Sequence, residues 1–157
     1  MSYEQNPVLS HVKTLLIPAT DGQVTIAKDT KVFSQIDPDF KDWGLDTVSQ
    51  ATTERLVDIY EVSVGASYKK TFSSKVASLN KQALTQNQIT VFCKTYTEEL
   101  LDGVTIFLFK KIRWLFFKRF FVARVDVRCG RLSVRVHSLG SERRCDGGRH
   151  RVVVPQL

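Results

Sequence analysis

Residues 104–139 read VTIFLFKKIRWLFFKRFFVARVDVRCGRLSVRVHSL, a run both densely apolar and densely basic. From Phe121 to Val136 an apolar residue stands at every second position on either side of Cys129-Gly130. Period two is the spacing at which strand side chains return to the same face. The run therefore predicts two antiparallel strands, 120–128 and 131–136, joined by a two-residue turn. In that register Arg128 faces Arg131, Asp126 faces Ser133 and Arg124 faces Arg135. One face then carries Phe121, Ala123, Val125, Val127, Leu132, Val134 and Val136. The other carries Arg124, Asp126, Arg128, Arg131, Ser133, Arg135 and His137.

Like charges placed directly opposite one another destabilise a strand pair, so Arg124 against Arg135 requires an anion nearby. Asp126 supplies one from within, which describes a solvated, partly neutralised sheet face. Phosphate oxygens would supply it from outside, which describes an anion-binding surface. Composition sharpens the second description. Up to Gly103 there are 10 Lys+Arg against 13 Asp+Glu, and beyond it 13 against 3. The kind of base changes as well, from 9 Lys and 1 Arg to 3 Lys and 10 Arg. Clustered guanidinium groups favour phosphate and carboxylate. The candidate anion-binding residues are thus Arg124, Arg128, Arg131 and Arg135. Arg143, Arg144 and Arg149 join them from the Gly- and Arg-rich segment after Gly140, and the expected partner is nucleic acid or another polyanion. An alternative reading uses the aromatic segment 112–117, where Trp114, Phe116 and Phe117 would dock a protein partner or a second copy. Ring density of this order suits a buried core equally well.

A chain of 157 residues has room for one domain with a proper core. Residues 11–157 are expected to form a single compact α+β domain, with 1–10 as a flexible tail. Further strands are predicted at 11–17, 24–27, 55–64, 104–109 and 151–154. Asp37-Pro38 reads as the cap and first residue of a short helix that Gly44 stops, with Phe33, Phe40, Trp43 and Leu45 turned inward. Residues 67–79 carry a weaker helical spacing. The strongest helix signal is 85–101: Thr85 and Gln88 form a capping box, and Ile89, Phe92, Tyr96 and Leu100 share a face. The expected architecture is an antiparallel, mainly C-terminal sheet packed on one face against this main helix, with short helices near the N-terminus. Residues 112–119 contain no turn residue and fit a loop, a strand extension or a surface-lying segment.

Several classes of function are disfavoured. Six Lys or Arg residues interrupt 104–127, and each such charge at a membrane-helix centre costs about 2.5–3.5 kcal/mol. No transmembrane segment is therefore expected. The polar N-terminus lacks a signal-peptide core, and three irregularly spaced cysteines make no disulfide framework. A cytoplasmic location follows as an expectation. Cys129, His137, Cys145 and His150 lack the short knuckle of a zinc site. Asp37, Asp39, Asp42 and Asp46 lack the order and closing Glu of a calcium loop. Cys93, in mid-helix, has no base to activate it. With no P-loop, dinucleotide fingerprint or nucleophile elbow, no catalytic, metal or cofactor residue is assigned.

The stretches IPATDGQVTIA, DWGL, LTQNQI, FLFKK with FFVARV, and RVVVPQL resemble a group of short uncharacterised bacterial proteins known from candidate-phylum genomes. The resemblance implies a compact α+β domain and brings no activity or functional residue with it. The chain departs from that pattern between Lys111 and Phe120, where IRWLFFKR replaces a short polar turn.

Overall fold

The computed structural model describes residues 9–62, 65–73, 78–100, 103–114, 117–141, 144–145 and 150–156, the side chains of 112–114, 117–118 and 144–145 excepted. The strands are β1 (Leu9–Ile17), β2 (Gln35–Ile36), β3 (Arg55–Val62), β4 (Ala66–Ser67), β5 (Val104–Trp114), β6 (Phe117–Arg128), β7 (Arg131–Ser138), β8 (Arg144–Cys145) and β9 (His150–Pro155). The helices are α1 (Asp39–Asp42), α2 (Tyr68–Ser73), α3 (Leu79–Gln82), α4 (Gln86–Thr95) and α5 (Thr97–Leu100). Seven strands form one sheet in the order β1-β3-β9-β5-β6-β7-β2, and β4 pairs with β8 apart from it.

The α+β class is as expected, but the sheet is mixed rather than antiparallel. β9 runs parallel to β5, and β2 runs parallel to β7. Most of the sheet is C-terminal as expected, in β5, β6, β7 and β9, while β1 and β3 build one flank. The last strand enters between β3 and β5, antiparallel to the first and parallel to the second. Its consecutive valines Val152, Val153 and Val154 are each at most 3% exposed. A continuous apolar run is what a strand covered on both faces needs.

Both faces are indeed covered, where one was expected. On one side Phe107, Phe109, Phe121, Ala123 and Val125 pack with Phe40 of α1 and with Ile89, Phe92 and Leu100 of α4 and α5. On the other, Ile106, Leu108, Val122 and Val152 pack beneath Tyr68 and Phe72 of α2.

The expected single helix over 85–101 is broken. Its capping box forms, with Gln88 N–H donating to Thr85 Oγ1 (3.1 Å) and Thr85 N–H to Gln88 Oε1 (2.9 Å). It leaves helical geometry at Tyr96 (φ −117°, ψ 42°). There the Tyr96 hydroxyl donates to Leu16 O at 2.6 Å, and Thr97 Oγ1 donates back to Cys93 O at 2.9 Å. The Thr97 bond is of the local kind that competes with the helix ladder, while the Tyr96 bond ties the helix end to β1. The expected strand at 24–27 is instead a 3-10 turn over Ile26–Lys28. Ile26 N–H is taken by the Gln86 side chain at 3.0 Å rather than by a neighbouring strand. Residues 67–79 give β4's end and two short helices, with 74–77 outside the described residues. Phe33, Phe40 and Leu45 are buried, but Trp43 is 38% exposed and leans its ring on Phe121, centroids 6.0 Å apart.

The hairpins hold the site. β6 and β7 pair in the predicted register, Arg128 to Arg131, Asp126 to Ser133 and Arg124 to Arg135. Cys129 (φ 52°) and Gly130 (φ 74°) both adopt the left-handed conformation that a two-residue hairpin turn requires. Residues 112–119 extend a second hairpin: β5 pairs with β6 as far as Trp114 opposite Phe117, with a register shift after Ile112. No helix among the described residues is long and apolar enough to cross a membrane.

Candidate anion-binding face

Strand alternation on β6 and β7 brings Arg124, Arg128, Arg131 and Arg135 to one sheet face as two directly opposed pairs. Arg128 and Arg131 flank the turn and are exposed; Arg124 and Arg135, farther along, are half-buried. Opposed positions put Cβ atoms about 4.5–5.5 Å apart, so the two arginines of each pair leave the sheet side by side. Between the pairs stands Asp126, opposite Ser133, which is only 4% exposed. The Asp126 carboxylate reaches Arg128 loosely, with Oδ2 3.7 Å from Nε. Its Oδ1 and the Arg124 Nε are both buried without a hydrogen-bond partner among the described residues. Asp126 therefore neutralises the cluster only in part among the described residues.

Arg144 lies in β8, opposite Ser67 of β4, but its side chain is outside the described residues, as are Arg143 and Arg149 altogether. Trp114 and Phe117 form the last pair of the β5–β6 hairpin. Their side chains, and Phe116 entirely, likewise lie outside the description.

The residues weighed for other chemistry are dispersed. Cys129 is exposed in the β6–β7 turn, while His137 sits near the opposite end of β7 with its ring 5.8 Å from that of Tyr68. Among the described residues no three His, Cys, Asp or Glu side chains gather as metal ligands. Asp37 is structural: Oδ1 accepts from Asp39 N–H (3.0 Å) and Oδ2 from Val136 N–H (3.2 Å), tying the start of α1 to the outer edge of β7. Partial burial, then the charges of Asp37 and Asp42, raise the Asp39 pKa. Complete burial, followed by the charge of Asp29, pushes the Cys93 thiol far up, away from the thiolate a nucleophile needs.

Sequence reasoning missed a second cationic group. Arg55, Lys110 and Lys111 line a cavity beside the end of β9; Arg55 and Lys111 share one sheet face, while Lys110 points to the other, its ammonium 3.3 Å from Asn80 Oδ1. Arg55 stands over fifty positions from the lysines, and no local motif joins them.

No protein-family profile, curated protein or solved structure matches this chain.

Proposed function

We propose that the protein is a non-catalytic binding module whose β6–β7 face holds an anionic partner, with nucleic acid the best chemical fit. One observation carries the reading: four arginines lie in two opposed pairs with one carboxylate between them. An unpaired like-charge arrangement is unfavourable within a sheet, and phosphate oxygens entering between the guanidinium groups relieve it with charge-assisted hydrogen bonds. Strand rise of about 3.3 Å per residue separates the two pairs by about 13 Å, a span suited to several contacts on an extended backbone. Contacts of this kind position a partner without reading its sequence.

Fluorescence anisotropy with random-sequence DNA and RNA across a salt series tests this. The logarithm of affinity should fall linearly with that of salt, with a slope of about −3 to −4 if each arginine meets one phosphate. The double variant Arg128→Ala/Arg131→Ala should flatten the slope by about 2. Absent binding, or binding indifferent to salt, overturns the proposal.

A further inference from the structure

β9 ends at Pro155, whereas β5 continues from Phe107, its last partner position with β9, as far as Trp114. On the other side of β9, Val57 of β3 pairs with Pro155, and β3 begins just beyond, at Arg55. The sheet is therefore notched between the start of β3 and the second half of β5. The chain fills the notch only at its rims. Leu84 N–H donates to Leu108 O at 2.8 Å, laying the segment before α4 along the free edge of β5. The loop leading into β3 closes the other side.

A cavity of about 730 Å³ remains between them, within the roughly 300–1,000 Å³ typical of small-molecule sites. Its walls are tied from outside. Thr20 and Thr52 exchange both backbone hydrogen bonds (3.0 and 2.9 Å), and their hydroxyls lie 2.7 Å apart. Ser49 N–H donates to Gly22 O at 2.9 Å, Gln86 Nε2 to Leu45 O, and the Lys111 ammonium to Gly44 O. A cavity built this way is largely formed before any ligand arrives, which lowers the ordering cost of binding.

Its charge is one-sided. Arg55, Lys110 and Lys111 line it, and none of the described lining residues is Asp or Glu. This is notable because the loop walls belong to the part of the chain where acids outnumber bases, 13 to 10. The remaining lining is mostly hydroxyls and amides, from Thr47, Thr53 and Gln50 among others, over an apolar floor at Leu84. Lysine and arginine suit a compact multivalent oxyanion, while Thr and Gln both donate and accept hydrogen bonds and suit an uncharged polar body.

We propose that this cavity binds a small organic phosphate, its phosphate group against Arg55 and Lys111, which share one sheet face, and its uncharged body along the Thr- and Gln-bearing wall. The site is separate from the arginine face. Lys111 pairs across to Arg119 in β6, toward the hairpin end remote from Arg128.

The test is a titration of the isotope-labelled full chain followed by amide chemical shifts. The probes are AMP, glucose 6-phosphate, inorganic phosphate and adenosine. Expected are saturable shifts at 47–53, 84–88 and 110–111 with at least one ester, and binding of inorganic phosphate weaker by about tenfold or more. Adenosine should not saturate, and whichever ester binds tighter tells a nucleoside body from a sugar body. Arg55→Gln, at an exposed position, and Lys111→Gln should each weaken the ester by about tenfold, whereas Arg128→Ala should leave it unchanged. The proposal is overturned if neither ester saturates these amides by about 10 mM, or if adenosine or inorganic phosphate binds as tightly as the esters. Unchanged affinity in both glutamine variants overturns it too.

Discussion

Gly22 and Gly130 share a positive φ, 78° and 74°, yet their surroundings differ. A Cβ on Gly130 would meet nothing within 4 Å, while one on Gly22 would lie 2.3 Å from Ser49 O and 2.5 Å from Gln50 O. Alanine at Gly130 should therefore cost only the left-handed backbone penalty, about 1–2 kcal/mol. Alanine at Gly22 must also push the backbone of 49–50 aside, and we expect a loss of about 3 kcal/mol or more. Denaturant unfolding of the two variants measures this directly, and equal midpoints would contradict it. Sequence revealed each residue in proportion to how local its role is. Thr85 and Gln88 act within one helical turn and were legible; Thr85→Ala should destabilise the fold by about 1 kcal/mol. Asp21-Gly22 has the composition of a turn, but nothing local to it shows that two loops touch there. Gln86 and Asn87 carry no local signal of their role, yet their side chains accept from Ile26 and Val24 N–H, at 3.0 and 3.4 Å, across some sixty positions.

The β6–β7 hairpin was readable to the residue, because a two-residue turn and period-two alternation fix register and face together. The four arginines of the candidate face came with it. What covers that face was not readable. Val122 is buried on it beneath Tyr68 and Phe72 of α2, and the six-residue α2 has too little pattern to announce its partner. The paired-strand nature of 112–119 stayed ambiguous for a related reason: no turn residue marks the hairpin end, and one register shift breaks the alternation. At the opposite edge β7 is protected economically. β2 contributes only Gln35–Ile36, and the Asp37 carboxylate takes Val136 N–H beyond it. Asp37→Ala should leave that amide unpaired and destabilise the fold by about 1–3 kcal/mol. Hydrogen exchange should quicken at Val136 more than at Val125 in the hairpin interior, and uniform protection would contradict the role given to Asp37.

For the molecule as a whole, the decisive strand is the last. β9 joins β3, some ninety positions earlier, to β5, so neither flank of the sheet is complete without it. Deleting residues 150–157 should abolish cooperative urea unfolding, and a surviving sigmoidal transition would show that the halves stand independently. Sequence reading recognised RVVV as a strand but could not seat it, since an apolar run says that both faces are covered without saying by which neighbours. The central seat has a further consequence during translation. β3 and the end of β5 are made while β9 does not yet exist, and at about 5–20 residues per second the wait from residue 114 to residue 155 lasts about 2–8 s. Through that interval two long strand edges stand open, inviting partners on neighbouring nascent chains. Yield in the cell should therefore respond to the elongation rate over 115–155, a stretch that changes nothing in the finished fold by being read slowly or fast.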